Sequence, residues 1–256
     1  MDILNQFSKI VIAQVGCGGT GSWLVPFVSK LANNIKLRTV SDDFINYTIF
    51  DDDIVEQRNI LRQNFSSWDI GKNKAQALIN KNVFEFQDIK ANVTRVKRYI
   101  DILPDNLPAV DQLPTLFIIL GCCDNNKARQ TMFKISKLIS KKIKSSVVYI
   151  DSGNLLYNGQ IITKAFNFPQ DNQQDLFKKK REKKSKIDFK KMFPIENDEN
   201  SNIPQQSCAF FGDQSQAINI IAATLMFINL QKILISLELP PEIVIFNSSG
   251  YSTFEL

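Results

Sequence analysis

Four glycines in six residues, Gly16, Gly18, Gly19 and Gly21, lie between an apolar run and a helical pattern. Glycines let a backbone turn sharply and approach a ligand with no Cβ in the way. A strand entering such a turn and a helix leaving it would aim free N–H groups and the positive end of the helix dipole at an anion. Alone, the turn fits NAD, FAD or ATP, and it fits a plain tight turn too. Further along come the acidic triplet Asp51-Asp52-Asp53, then Arg58, then Arg62 with Gln63 beside it, then Lys74 and Asp124. A carboxylate closing the second strand of a nucleotide-binding unit can accept both ribose hydroxyls, and Asp51 is placed for that. Three cations exceed what a pyrophosphate diester needs; they suit a triphosphate whose pyrophosphate must leave. Asp124 could hold Mg²⁺ between phosphate oxygens. Each has a plainer alternative: surface ion pairing for Arg58 and Arg62, a solvated helix position for Lys74, a helix N-cap for Asp124.

These residues need elements to hold them. Ile10 to Val15 reads as a short buried strand, and apolar spacing predicts a helix from about Ser22 to Asn33. Tyr47 to Phe50 is the second expected strand, and Lys72 to about Phe84 a helix after Gly71. Ala91 to Tyr99 alternates loosely as a third strand. Leu116 to Leu120 is a buried strand, 126 to 142 a helix, and Ser146 to Ile150 a buried strand ending at Asp151. Strands alternating with helices make a Rossmann-like, doubly wound α/β fold with a mostly parallel sheet. Ligands then sit beyond the carboxyl ends of the strands, where Gly16 to Gly21, Asp51 to Asp53, Asp124 and Asp151 are expected to gather. Asn158 to Phe166 and Glu242 to Phe246 read as later strands, antiparallel in the C-terminal part, with a strongly apolar helix from Asp213 to about Leu237 between them. The whole of 1–256 reads as one domain, with a polar loop over about 167–206 and no internal repeat.

Composition narrows the chemistry. The chain has 256 residues, 44% of them hydrophobic, and 19 Phe, enough for a sizeable core. It has no histidine, which removes every Ser–His, Cys–His and His–metal mechanism. Cys17, Cys122, Cys123 and Cys208 form no Cys-x-x-Cys pair, so neither a disulfide framework nor a zinc site is expected. No run of 18 apolar residues exists and no secretory signal is visible at the start, so no membrane contact is expected and the cytoplasm is the expected compartment. The net charge of +5 is local: Lys178 to Lys191 holds nine Lys or Arg against Glu182 and Asp188, and the remainder is near neutral. That segment reads as a solvated loop, then as a docking surface for an acidic partner; nucleic acid ranks third, despite the nearby Phe177, Phe189 and Phe193.

Read together, Gly16-Cys-Gly-Gly-Thr-Gly21, Asp51-x-Asp53-x-Val55, Asn59-x-x-Arg62-Gln63, Gly71-x-x-Lys74-Ala75 and Cys123-Asp124-Asn125 resemble the HesA/MoeB/ThiF superfamily, the ubiquitin-activating-enzyme-like adenylyltransferases. The order and spacing match over roughly Ile10 to Phe166, and the Asn-x-x-Arg-Gln segment is the most specific. The form Gly-Cys-Gly-Gly-Thr-Gly-Ser-Trp also resembles ThiF-family proteins of plasmid-associated PRTRC systems. The resemblance implies ATP- and Mg²⁺-dependent adenylation of a carboxylate, usually the C-terminal glycine of a small ubiquitin-like or sulfur-carrier-like protein, by a homodimer. It places Gly18 and Gly19 under the phosphates and Asp51 at the ribose. Asn59 and Arg62 fall at the phosphates, Lys74 at the leaving pyrophosphate and Asp124 at Mg²⁺, with Asp53, Arg58, Gln63 and Asn125 in the same binding motifs. An ionised carboxylate needs no general base to attack phosphorus, so positioning and charge neutralisation suffice in a chain without histidine.

Two departures stand out. Superfamily members often carry two zinc-binding Cys-x-x-Cys pairs and an N-terminal Arg that serves the partner's site; neither is in this sequence. The second reading is an NAD-dependent oxidoreductase, which has Arg62-Gln63 and Lys74 against it. The two departures motivate a third, a nucleotide-binding adaptor with weak turnover. Cys208, just before the apolar helix, is either a reactive thiol of the thioester- or persulfide-forming kind or a small packing residue. Cys17 and Cys123 read as packing residues.

Overall fold

The computed structural model describes residues 3–104, 114–155, 157–169 and 215–247, and the backbone of 252–255. Cys208 and most of the polar basic loop lie outside the described residues. The described strands form one eight-stranded sheet in the order β3-β2-β1-β4-β5-β6-β7-β8. They are β1 (Lys9–Val15), β2 (Ile45–Phe50), β3 (Ile89–Asn92), β4 (Thr115–Gly121), β5 (Ser146–Asn154), β6 (Asn158–Phe166), β7 (Ile243–Asn247) and β8 (Ser252–Glu255). The first five pair in parallel and the last three add on antiparallel. The helices are α1 (Gly19–Lys36), α2 (Lys74–Asn82), α3 (Asn126–Lys142) and α4 (Gln216–Ser236).

The apolar runs are continuous because both sheet faces are covered. In β1, Ile10 and Ile12 face one core, shared with α1, α2 and α4, while Val11 and Ala13 face a second, shared with α3. The same alternation runs through β4, where Leu116, Ile118 and Leu120 meet the first core and Phe117 and Ile119 the second. The chain winds outward from β1 in both directions, which puts a topological switch point between β1 and β4.

Several boundaries differ from the sequence expectation. The third strand stops at Asn92, because the Asn92 side chain accepts from the Thr94 N–H (3.1 Å) and hydroxyl (2.6 Å) and turns the chain. Tyr99–Ile102 is then a 3₁₀ turn, its start held by Asp101 accepting from the Lys97 and Arg98 N–H groups. Asp151 does not end its strand; β5 continues to Asn154, and Asp151 is wholly buried in it. Glu242 to Phe246 was expected as the last strand, but the observed Ile243–Asn247 is followed by β8. α1 gains a turn at its start by including Gly19 and Gly21.

α4 contains an 18-residue stretch of mean hydropathy 1.8, long and apolar enough for a bilayer, yet half of it is buried in this fold. Its Ile218, Ala222, Met226, Leu230 and Ile233 lie in the first core. It packs on α1, with the Phe27 and Phe227 rings 5.3 Å apart. Central packing this tight makes a sharp prediction. Ile118→Ala, at a wholly buried site in β4, is expected to cost about 2–5 kcal/mol in urea unfolding, with an unchanged m-value.

Candidate active site

At the carboxyl ends of β1, β2 and β4 the chain opens a cleft of about 760 Å³. Its floor is the turn between β1 and α1. Gly16 has φ +100°, and a Cβ there would overlap the Cys122 carbonyl. A Cβ on Gly21 would overlap the Gly16 carbonyl oxygen. These two glycines are the hinge of the turn; Gly21 sits inside α1 and does not itself line the cleft. Gly18 and Gly19 do. A Cβ on Gly19 would come 2.7 Å from both amide atoms of Asn219, which α4 brings beneath the turn. Gln14, buried in β1, ties the turn from below: its Nε2 donates to the Gly21 carbonyl at 2.9 Å, and its Oε1 accepts from the Tyr47 hydroxyl at 2.7 Å.

The segment after β2 is docked onto α1 through an irregularity in that helix. Pro26 has no N–H, so the Ser22 carbonyl loses its helical donor. Asn64 takes the place: its Nδ2 donates to the Ser22 carbonyl at 3.3 Å, and its backbone N–H to the Ser22 hydroxyl at 3.0 Å. The Trp23 indole N–H donates to the Arg62 carbonyl at 3.1 Å. Arg58, Asn59, Arg62 and Gln63 thereby line the cleft opposite Gly18 and Gly19. Asn59 is buried, its Oδ1 accepting from the Glu56 N–H at 2.8 Å. Gln63 is buried too, and its Oε1 has no hydrogen-bond partner. Arg58 pairs with Glu56, so the surface-pairing alternative holds for it. Arg62 makes no ion pair among the described residues.

Lys74 is not the solvated residue the alternative supposed. Its side chain is 9% exposed and its Nζ donates to Asp53 at 2.9 Å. The Ile54–Asn73 bridge and the Asn73 side chain, which donates to the Asp51 carbonyl at 2.8 Å and caps α2, hold it there. Asp51 accepts from the Cys17 N–H at 2.6 Å and from the Asp53 N–H at 2.9 Å. Burial raises its carboxyl above the ordinary range, with Lys74 and these bonds opposing. The carboxyl oxygens of Asp51, Asp52 and Asp53 lie within 4.8 Å of one another. Each carboxylate is engaged, Asp51 by backbone, Asp52 by Arg95 at 2.7 Å, and Asp53 by Lys74.

Asp124 faces the cleft from the end of β4. It is not the N-cap; Asn125 is, accepting from the Ala128 N–H at 2.8 Å, while its Nδ2 donates to Asp124 at 3.0 Å. Asp124 is therefore exposed and open to a further ligand. Asp151 is not on this edge; it is paired below it with Arg129 at 2.6 Å. The sequence reading overlooked Gln14, Arg129, Asn154 and Asn219. Gln14 and Asn219 carried a signal, a lone amide in a run otherwise apolar, whereas Arg129 looked like one more helix-surface cation. Burial lifts the thiols of Cys17 and Cys122 well above their ordinary range and that of Cys123 to about 12, which fits packing roles.

Seven Lys or Arg side chains and four Asp line the cleft; with Arg58 and Arg129 paired to Glu56 and Asp151 outside it, a small positive excess remains, which favours an anion. The glycines leave room for it, α1 presents its N-terminus to it, and Asp124 can face a cation on it.

Structural comparison agrees with this architecture. E. coli MccB superposes with a TM-score of 0.58 at 14% identity, over 98% of this chain and 65% of MccB. PaaA superposes with a TM-score of 0.56 at 16% identity, over 97% of this chain and 63% of PaaA. MccB solved with ATP gives 0.55 at 15% identity, over 98% of this chain and 65% of MccB. The chain thus spans under two thirds of the length of these solved relatives. No curated protein matches it. The sequence pattern of the ThiF family matches residues 2–247, nearly the full length, and the chain belongs to the ThiF family.

Proposed function

We propose that this protein is an ATP- and Mg²⁺-dependent adenylyltransferase that activates a carboxylate. The observation that carries the reading is the convergence, in one cleft, of a side-chain-free glycine turn, the buried Lys74 and the open Asp124. A triphosphate fits this donor set. Gly18 admits a phosphate oxygen against backbone, Gly19 makes room for Asn219 beneath the turn and offers its N–H at the start of α1, and Arg62 and Lys74 offer charge on the β2 side. The Gln63 amide nitrogen is the side-chain atom nearest Gly18, 4.0 Å from where a Cβ would sit, and offers a donor there. Asp51 is placed at the ribose.

In the reaction, an acceptor carboxylate oxygen attacks the α-phosphorus and forms a P–O bond. The bond from α-phosphorus to the bridging oxygen breaks, and pyrophosphate leaves with that electron pair. Asn59, Arg62 and Lys74 hold the leaving charge; Lys74 exchanges Asp53 for phosphate as the nucleotide enters. Asp124 would hold Mg²⁺, which supplies further neutralisation of the phosphate oxygens. No residue must remove a proton, in keeping with a chain that has no histidine. The acceptor in this reading is the C-terminal glycine of a small ubiquitin-like or sulfur-carrier-like protein, and the enzyme is a cytoplasmic homodimer. What supports the reading is that MccB, which shares this fold, was solved with ATP and, in another structure, in complex with N-formylated MccA.

Calorimetry should detect binding of Mg·ATP and no comparable binding of NAD⁺; the reverse preference sinks the reading. With an acceptor in hand, Lys74→Ala should lower the rate of ATP–pyrophosphate exchange by about 10²–10³-fold, the loss seen when one preorganised donor to transition-state charge is removed. The Cys208 thiol is proposed as the reactive one. Iodoacetamide at pH 8 on native protein should therefore label Cys208 and spare Cys17, Cys122 and Cys123, whose protonated forms burial favours. Labelling of Cys123 first would contradict that assignment.

A further inference from the structure

Under the cleft lies a cation the phosphates do not require. Arg129, in the first turn of α3, is only 7% exposed. A guanidinium that deep is costly unless its donors find acceptors. Its Nη1 donates to Asp151 at 2.6 Å and to the Ser152 carbonyl, and its Nη2 donates to the Cys123 carbonyl at 2.7 Å. The other oxygen of Asp151 accepts from the Tyr149 hydroxyl at 2.9 Å. Two glycines make the space. A Cβ on Gly153 would lie 3.1 Å from Arg129 Nη1, and one on Gly121 would lie 2.5 Å from Asp151 and 2.8 Å from the Tyr149 hydroxyl.

The acceptors belong to two neighbouring chain segments. Asp151 and Ser152 are interior to β5, whereas the Cys123 carbonyl is in the turn between β4 and α3, one residue before Asp124. We infer that Arg129 is a positioning residue: by tying the Cys123 carbonyl to Asp151 and Ser152, it fixes the β4–α3 turn so that Asp124 faces the glycine turn. This rests on the reading that Asp124 holds the cation bound to the nucleotide. A pair serving stability alone would need only Asp151, and apolar side chains often replace such pairs without loss. The bond to Cys123 reaches past Asp151 to the segment that carries the ligand. A planar fork holds its acceptors in fixed directions, whereas an ammonium on a flexible stem offers donors without that fixed geometry.

The test is Arg129→Lys in the full chain, titrated calorimetrically with ATP in EDTA and at increasing MgCl₂. Circular dichroism and a cooperative melt establish the fold. ATP binding in EDTA should match wild type, while the Mg²⁺ concentration that half-maximally strengthens ATP binding should rise about tenfold or more, as for other residues that support a ligand. Asp124→Ala should abolish the Mg²⁺ effect, and adding Arg129→Lys to it should cause no further loss. A folded Arg129→Lys with wild-type Mg²⁺ dependence overturns the inference, as does equal weakening with and without Mg²⁺. If Arg129→Lys does not fold, Gly153→Ala, which crowds the guanidinium, decides: a raised Mg²⁺ requirement supports the inference and an unchanged one overturns it. Wild-type protein that binds no ATP in either condition overturns both this inference and the nucleotide reading.

Discussion

The site depends on two backbone turns being in contact, with no side chain between them. The turn after β1 and the turn after β4 meet where Gly16 lies against the Cys122 carbonyl. The same β1 turn folds back so that Gly21 lies against the Gly16 carbonyl. Any Cβ at either position would separate them. This contact fixes the distance between the N-terminus of α1 and Asp124, and so the width of the cleft there. Strand pairing ends at Val15 and Gly121, and beyond it one further backbone bond, from the Cys122 N–H to the Val15 carbonyl at 2.8 Å, joins the turns. Gln14 and Tyr47 supply the remaining constraint from beneath, pinning the start of α1 through a buried amide and a phenol.

Charge is arranged around that contact by pairing rather than by accumulation. Three adjacent aspartates would repel strongly, yet each has its own partner: backbone N–H groups for Asp51, Arg95 for Asp52, Lys74 for Asp53. Lys74 is buried enough that an unpaired ammonium would be costly, and Asp53 supplies its partner at 2.9 Å. Asp53 is itself 58% exposed on its side chain, so releasing it to water costs little. A buried cation with an exposed partner is suited to exchange; a buried cation with a buried partner, such as Arg129 with Asp151, is suited to permanence.

Much of this was legible in the chain. The continuous apolar runs of β1, β4 and β5 pointed to a buried sheet, and the glycines, Asp51 and Asp124 fell at one edge of it because they follow the strand ends. What periodicity could not reveal was where a strand stops for a side-chain reason. Asn92 ends β3 through its own hydrogen bonds, and the alternation of Val93, Arg95 and Val96 beyond it was misleading. Asp151 seemed equivalent to Asp124 because both follow apolar runs, but pairing with β6 carries β5 onward to Asn154 and draws Asp151 inside. Pairing of distant segments decided that outcome, and no local pattern encodes it.

Pro26 illustrates how a local defect becomes a tertiary device. A proline in the interior of a helix ordinarily costs about 3 kcal/mol, partly because a carbonyl one turn earlier is left without its donor. Here that carbonyl belongs to Ser22, and Asn64 donates to it. The segment carrying Asn59, Arg62 and Gln63 has no strand and no long helix of its own to hold it. Its attachment to α1 is therefore the broken rung of that helix, together with the Ser22 hydroxyl and the Trp23 indole. Arg62 and the C-terminal half of the glycine turn are thus mounted on the same helix. They keep their spacing through any motion that α1 makes as a unit.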